Sequence, residues 1–278
     1  MANTNSTHPD PEQTTITSAD KLEIVPASSL QPLPCVQLVA PLQRTASGSE
    51  AFLGLASDGN QYWVKAPDNP QGSRTLIAEV IAHGIGRMLG APVPDTALVN
   101  IPAKLPWTYK DGRQMREGVA HGSLNIPNVI ESDDWGTYSR RDDNRRRQAR
   151  ILALWDLCMG VDPQWLHQTT ADYSIWSFDH GFWLAGESDW DLVSLRQIGT
   201  SAWLYDVEPG VASASALHET ADSLNDLSLE SIQAIANDVP LDWNTTVVEL
   251  EELTILLHAR SAAVANRLRA TAAQSRYP

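Results

Sequence analysis

Apolar and polar positions along the early part of this chain follow mainly the period of two expected of strands, and the later part follows mainly a helical period. Residues 35–42 and 51–55 read as two strands joined by a small polar turn at residues 43–50. Ser57-Asp58-Gly59-Asn60 is a strong turn signal, after which residues 61–66 alternate as a half-buried strand carrying Lys65. Residues 76–89 then have an apolar helical period with Glu79 near its start. Gly90 caps that helix, Pro92 and Pro94 prevent its continuation, and residues 96–101 read as the next strand. Between 103 and 150 the pattern is broken by Gly112, Gly118, Gly122 and Pro127, and only residues 118–123 read as a short strand.

The second part is organised around residues 155–186. Residues 151–159 are apolar on nearly every side, as in a buried helix end, and Gly160 with Pro163 stops that helix where Asp162 appears. After a polar interval of no clear period, residues 173–178 mix aromatic and β-branched side chains as a short strand does, and Asp179-His180-Gly181 comes directly after. A carboxylate leaves a strand there, and the glycine is read as freeing the backbone to turn. Residues 213–224 and 228–237 read as short helices, the second capped by Ser228. Residues 246–274 read as one long helix whose acidic start and basic end complement its dipole. The predicted class is α+β.

Composition narrows the possibilities. The 278 residues are 42% hydrophobic and 19% charged, which describes a globular protein. No apolar run reaches membrane-spanning length, and the first residues have neither a basic nor an apolar leader segment, so a cytoplasmic location is expected. Residues 1–30 are rich in Thr, Ser, Pro and Asp and are expected to be a flexible tail. Two cysteines, Cys35 and Cys158, make neither a disulfide framework nor a zinc cluster. The formal charge of -14 argues against a general nucleic-acid or anionic-membrane binder. Locally, Arg140, Arg141, Arg145, Arg146, Arg147 and Arg150 crowd together, either as a solvated helix start or as a dock for an acidic or phosphorylated partner.

Four residues carry candidate chemistry. Glu79 lies in partly apolar surroundings and needs a cation, which Lys65 on the preceding strand can supply. Asp162 and Asp179 frame the later stretch, although each alone is ordinary turn chemistry. The turn containing Ser47, Gly48 and Ser49 has small residues that let backbone N–H groups approach an anion, or it is a plain hairpin turn.

Strand Lys, helix Glu, a loop Asp after a helix, and Asp-x-Gly after a strand is the order found in protein kinases. The stretch QYWVKAPDNPQGSRTLIAEVIAHGIGRMLGAPVPDTALVNIP, residues 61–102, resembles the small lobe of the HipA-like kinases, bacterial relatives of the Ser/Thr kinase fold. Ser177-Phe178-Asp179-His180-Gly181 is similar to that family's metal-binding segment, and Gly186 and Trp190 fit the continuation of that segment in one of the family's branches.

The resemblance implies a two-lobed kinase-like fold, with a β-rich lobe at residues 31–102 and a helical lobe at 103–278. It implies a Ser/Thr protein kinase using ATP and Mg. Lys65 and the Ser47, Gly48 and Ser49 turn would bind phosphates, Glu79 would position Lys65, Asp179 would hold the metal, and Asp162 would accept the hydroxyl proton. A protein substrate would dock at Arg140, Arg141 and Arg145. The chain departs from the pattern five positions after Asp162, where a metal-binding Asn is expected and His167 stands. His167 or Gln164 would then have to replace it, or the chain is a pseudokinase that binds nucleotide or a partner without transfer. An unrelated α+β interaction module, with Lys65 and Glu79 as a structural ion pair, is the remaining reading.

Overall fold

The computed structural model describes residues 31–185 and 189–277. The expected tail, residues 1–30, and Gly186 lie outside the described residues.

The chain is mixed α+β, in the order β1 (Cys35–Arg44), β2 (Phe52–Ala56), β3 (Gln61–Lys65), α1 (Arg74–Met88), β4 (Thr96–Ile101) and β5 (Gly118–Leu124). Next come β6 (Val129–Ser132), α2 (Asn144–Leu157), β7 (Trp165–Gln168), β8 (Ser174–Ser177), α3 (Leu192–Ile198), α4 (Ala214–Asn225), α5 (Leu229–Ala236) and α6 (Val247–Ala272). Alternation decides the first sheet: Tyr62 and Val64 of β3 turn inward with Leu38, Phe52 and Val99, while Trp63 and Lys65 face the other way.

The first sheet is built from β1 to β5. It closes into a five-stranded barrel in the order β1-β2-β3-β5-β4, because β1 pairs antiparallel with β2 and parallel with β4, with Cys35 opposite Leu98. Strand β5 inserts between β3 and β4, with Lys65 opposite His121 and Ile101 opposite Gly118. The strand-rich part therefore continues to Leu124, past the boundary expected at residue 102. Helix α1 crosses that boundary in the opposite sense. Leu76, Ile77, Val80, Ile81 and Ile85 are fully buried in one apolar cluster with α2, α4, α5 and α6, while the barrel interior is a separate cluster. Gly84 allows Ile235 of α5 to lie directly against the α1 backbone, where a Cβ would collide with it.

Strands β6, β7 and β8 form a second antiparallel sheet with Trp165 opposite Ser177. Behind it, the scattered tryptophans converge. The Trp165 ring centroid lies 4.7 Å from that of Trp135 and 5.7 Å from that of Trp155, which in turn is 5.2 Å from Trp183. The cap expected at Ser228 is present, its Oγ accepting from Ser231 N at 3.2 Å, and α6 also has one, with Thr246 Oγ1 accepting from Glu249 N at 3.2 Å. One buried carboxylate joins the first and last helices of the helical part. Asp156, near the end of α2, accepts from Arg267 Nε at 2.7 Å and Arg260 Nη2 at 3.3 Å, both from α6, and from Trp203 N at 2.9 Å. No described helix is long and apolar enough to cross a membrane.

Candidate active site

A cleft of about 560 Å³ opens between the outer face of β3 and β5 and the segment from Asp162 to Phe182. Its lining includes Ser47, Gly48 and Ser49 from the β1–β2 turn, Lys65, Glu79, Asp162, Gln164 and Asp179. Residues far apart in the sequence thus share one cavity, lined by residues of the barrel on one side and of β6, β7 and the segment after β8 on the other.

Lys65 is the hub. Its side chain is 8% exposed, and its ammonium forms ion pairs with Glu79 Oε1 and, at 2.5 Å, with Asp179 Oδ1. Burial by itself depresses the Lys65 pKa, but the charges of Asp179 and Glu79 outweigh it and hold the group above its ordinary value. Burial likewise opposes ionisation of Glu79, and Lys65, with the hydrogen bond from His180 and the nearby His121, holds its carboxyl well below the usual range. Glu79 Oε2 accepts from the His180 backbone N–H at 3.1 Å, so α1 and the segment after β8 grip the same carboxylate. Ser177 Oγ lies 3.0 Å from His180 Nε2, fixing that ring.

Gly181 serves space rather than torsion. Its φ is not in the left-handed region, which Asp179 itself occupies at φ +56. A Cβ at Gly181 would lie 3.1 Å from Lys65 Nζ and 3.4 Å from Glu79 Oε1, tight against the ion pair. The turn expected of the glycine is therefore made by the aspartate.

Asp162, at φ +58, is exposed at the mouth of the cleft, and its Oδ2 accepts from Gln164 Nε2 at 2.6 Å. On the opposite wall, the hydroxyls of Thr45 and Ser47 are 2.7 Å apart and those of Ser47 and Ser49 3.3 Å apart, a short hydroxyl ladder above the cleft.

His167 does not reach this cleft. Strand β7 begins three residues after Asp162, and its alternation turns Leu166 into the cleft and His167 to the opposite face. There His167 is fully buried, 5.0 Å from the Tyr138 ring centroid, with Nδ1 3.4 Å from Tyr173 O. It is corrected from a metal ligand to a packing residue. Several arginines of the cluster make pairs within the chain. Arg147 pairs with Asp142 at 2.8 Å, Arg146 with Glu219 at 2.6 Å and Arg141 with Asp172 at 3.5 Å, and Arg145 stacks on Tyr277 with its Cζ 3.2 Å from the ring centroid. Those cations are engaged within the chain, and only Arg140 of the three expected docking residues is exposed without a described partner among these pairs.

The sequence reading missed the inner end of the cleft. Trp63, His121 and residues 123–126 line it. Trp63 Nε1 donates to Asn125 Oδ1 at 3.1 Å, and burial holds the His121 imidazole down at about 4, hence neutral. The signal was available in β3, where Trp63 and Lys65 share a face by alternation.

The residues present fit a phosphate-bound Mg ion. Among the described residues no group of three or more His, Cys, Asp or Glu side chains could hold a metal by themselves. Mg in nucleotide sites takes one or two protein oxygens and completes its shell with phosphate and water. Asp179 and the Gln164 amide, both in the lining, have that donor chemistry.

Over residues 39–157 the chain matches the HipA-like kinase family. The HipA-like stretch contains Lys65 and Glu79 but ends before Asp162 and Asp179. For the whole chain, the Helicobacter pylori proinflammatory kinase CtkA superposes with a TM-score of 0.56 at 13% identity, covering 87% of this chain and 98% of that one. At that identity the likeness speaks for the fold alone, which is that of a kinase. The Golgi casein kinase with Mn/ADP bound superposes with a TM-score of 0.45 at 11% identity, covering 87% of this chain and 74% of that one. No curated protein matches the chain. The family match supports a kinase-like function for the HipA-like stretch.

Proposed function

We propose that the chain is an ATP-dependent protein kinase of the HipA-like type, with the barrel and the helical part acting as two lobes around the nucleotide. The observation that carries this reading is the convergence of Lys65, Glu79, Asp162 and Asp179 on one cleft. Lys65 takes the nucleotide phosphates in place of Asp179, and Glu79 keeps the ammonium charged and aimed. Asp179 and Gln164 would hold Mg, which supplies neutralisation of phosphate charge when bound. Asp162 takes the proton of a Ser or Thr hydroxyl as its oxygen forms a bond to the γ-phosphorus and the bond to the ADP oxygen breaks. Catalysis is then mostly positioning and electrostatics.

The turn bearing Ser47, Gly48 and Ser49 covers the phosphates in this reading, and residues 123–126 with Trp63 receive the base. The test is transfer of labelled γ-phosphate to protein, together with thermal stabilisation by Mg-ATP. At a hundredfold excess over Kd, binding stabilises a fold by about 2.7 kcal/mol, which shifts the melting temperature by several degrees. Neither transfer nor stabilisation would leave Lys65 and Glu79 as a structural ion pair.

A second reading is favoured by one observation, that the position expected to hold a second metal faces away from the cleft as His167. It makes the chain a pseudokinase. Stabilisation by Mg-ATP without transfer to any protein of a cell extract would decide for it.

A further inference from the structure

The second sheet has two outer edges, and the chain closes one of them. On β8, Ile175 N donates to Asn144 Oδ1 at 2.8 Å and Ser177 N donates to Pro92 O at 2.8 Å, so donors that point away from β7 are matched within the chain. On β6, Val129 stands opposite Gln168, and in the pair just before it Thr169 N donates to Asn128 O at 2.8 Å. Bonded and non-bonded pairs alternate along an antiparallel ladder, so Ile130 and Ser132 bond to β7 while the N–H and C=O of Val129 and Glu131 point outward. These outward groups have no hydrogen-bond partner among the described residues, and β6 has no strand neighbour there except β7.

This open edge runs along the cleft. The side chains of Val129 and Glu131 line it together with Leu166, the residue opposite Glu131. Glu131 is exposed, and Ile130 on the other face of the strand is 43% exposed. Asp162 comes shortly before Trp165, the partner of Ser132, and so lies toward the Ser132 end of β6. Exposed strand edges accept further strands. Charge selects the occupant: neither Glu131 nor the exposed Asp133 has an ion pair or side-chain hydrogen bond among the described residues, and the chain carries a formal charge of -14. A second copy paired here would bring the acidic residues of both copies together, and like charges across neighbouring strands are destabilising.

We propose that the open edge of β6 docks an extended basic segment of the protein substrate as a fourth strand of the second sheet. A Lys or Arg of that segment stands beside Glu131, and an apolar residue two positions away stands beside Val129 on the same face. The segment continues past Ser132 toward Asp162, where its hydroxyl is presented. The docking rests on the geometry of β6, and the phosphorylation of what docks rests on the kinase reading above.

The probe is the octapeptide Val-Thr-Arg-Thr-Val-Thr-Arg-Thr, blocked at both ends and titrated into the full chain by calorimetry without nucleotide. Saturable binding with a Kd in the micromolar range is expected, and the same peptide with Glu in place of both Arg should bind at least about tenfold more weakly. An added strand bonds through one edge only. N-methylation of the central Arg and Val, or instead of the two central Thr, should therefore abolish binding in one case and leave it within about threefold in the other. Glu131→Lys should reverse the preference toward the Glu peptide. No saturable binding of the Arg peptide would overturn the proposal, as would equal binding of the Glu peptide or an equal effect of the two methylations. Sedimentation showing a dimer that Glu131→Pro dissociates would assign the edge to a second copy and overturn it as well, since that change removes an outward N–H. Because no nucleotide is present, peptide binding without phosphate transfer would count against the kinase reading alone.

Discussion

Asp162 and Asp179 both hold the left-handed backbone region, and both line the cleft. Their roles separate in substitution. Asp179→Asn should weaken Mg-nucleotide binding tenfold or more by calorimetry, while Asp162→Ala should leave nucleotide affinity within about twofold and cut phosphate transfer by about 100-fold or more. His167→Asn should change neither, because its side chain lies on the far face of β7. A measured change in metal preference in that variant would reinstate it as a ligand. At this scale the sequence singled out Lys65, Glu79, Asp162 and Asp179, which the structure brings to one cleft, from their order along the chain and not from any one of them alone. It misplaced His167 because counting positions from Asp162 says nothing about which face of a strand the count ends on, and β7, at four residues with two polar ones, gives too short an alternation to read.

Among the elements, the β1–β2 turn above the cleft is braced from outside by the chain between β4 and β5. Arg44 Nη1 donates to Thr108 O at 2.7 Å, Glu50 Oε2 accepts from Lys110 N at 2.8 Å, and the Trp107 ring packs tilted against Phe52 with centroids 5.1 Å apart. Both ends of the turn are therefore tied to one segment. Arg44→Ala combined with Glu50→Ala should speed amide hydrogen exchange across residues 45–51 and weaken nucleotide binding several-fold, with little loss of overall stability because both contacts are exposed. Unchanged exchange there would mean that the hydroxyl ladder alone orders the turn. The barrel strands and helices α1, α2, α4, α5 and α6 were legible because each has a period and a boundary signal, such as Gly90 after α1 or Ser228 before α5. The closure of the barrel was not legible, because it depends on β5 returning between β3 and β4 after a segment with no period of its own. Nor was α3, whose start is set by Asp191 Oδ1 accepting from Val193 N at 2.7 Å and Ser194 N at 2.9 Å.

For the molecule as a whole, the buried histidines set an acid limit. His121 is held neutral at about 4 against an ordinary 6.5, and His83 is also depressed by burial. A base whose folded pKa is lowered binds protons better when unfolded, so stability is lost as pH falls below about 6.5. For His121 alone the loss is on the order of 3 kcal/mol by pH 4. Glu79, whose pKa is lowered in the folded state, adds a further loss below about 4.5. Denaturant unfolding at pH 7, 5.5 and 4 should show a steady decline, and His121→Phe should flatten it; a stability independent of pH between 6.5 and 4 would mean that these rings are not held neutral. The joining of α2 to α6 through Asp156 has a consequence for the order in which the chain is made. Every residue lining the cleft leaves the ribosome before Arg260 and Arg267 do, so a nascent chain that ends short of α6 carries Asp156 without its counter-ions. Losing one side of a buried ion pair costs about 3–5 kcal/mol. A chain stopped at Thr246 should therefore be cut readily by proteases, because the end of α2 stays without its partners until the last described helix is made.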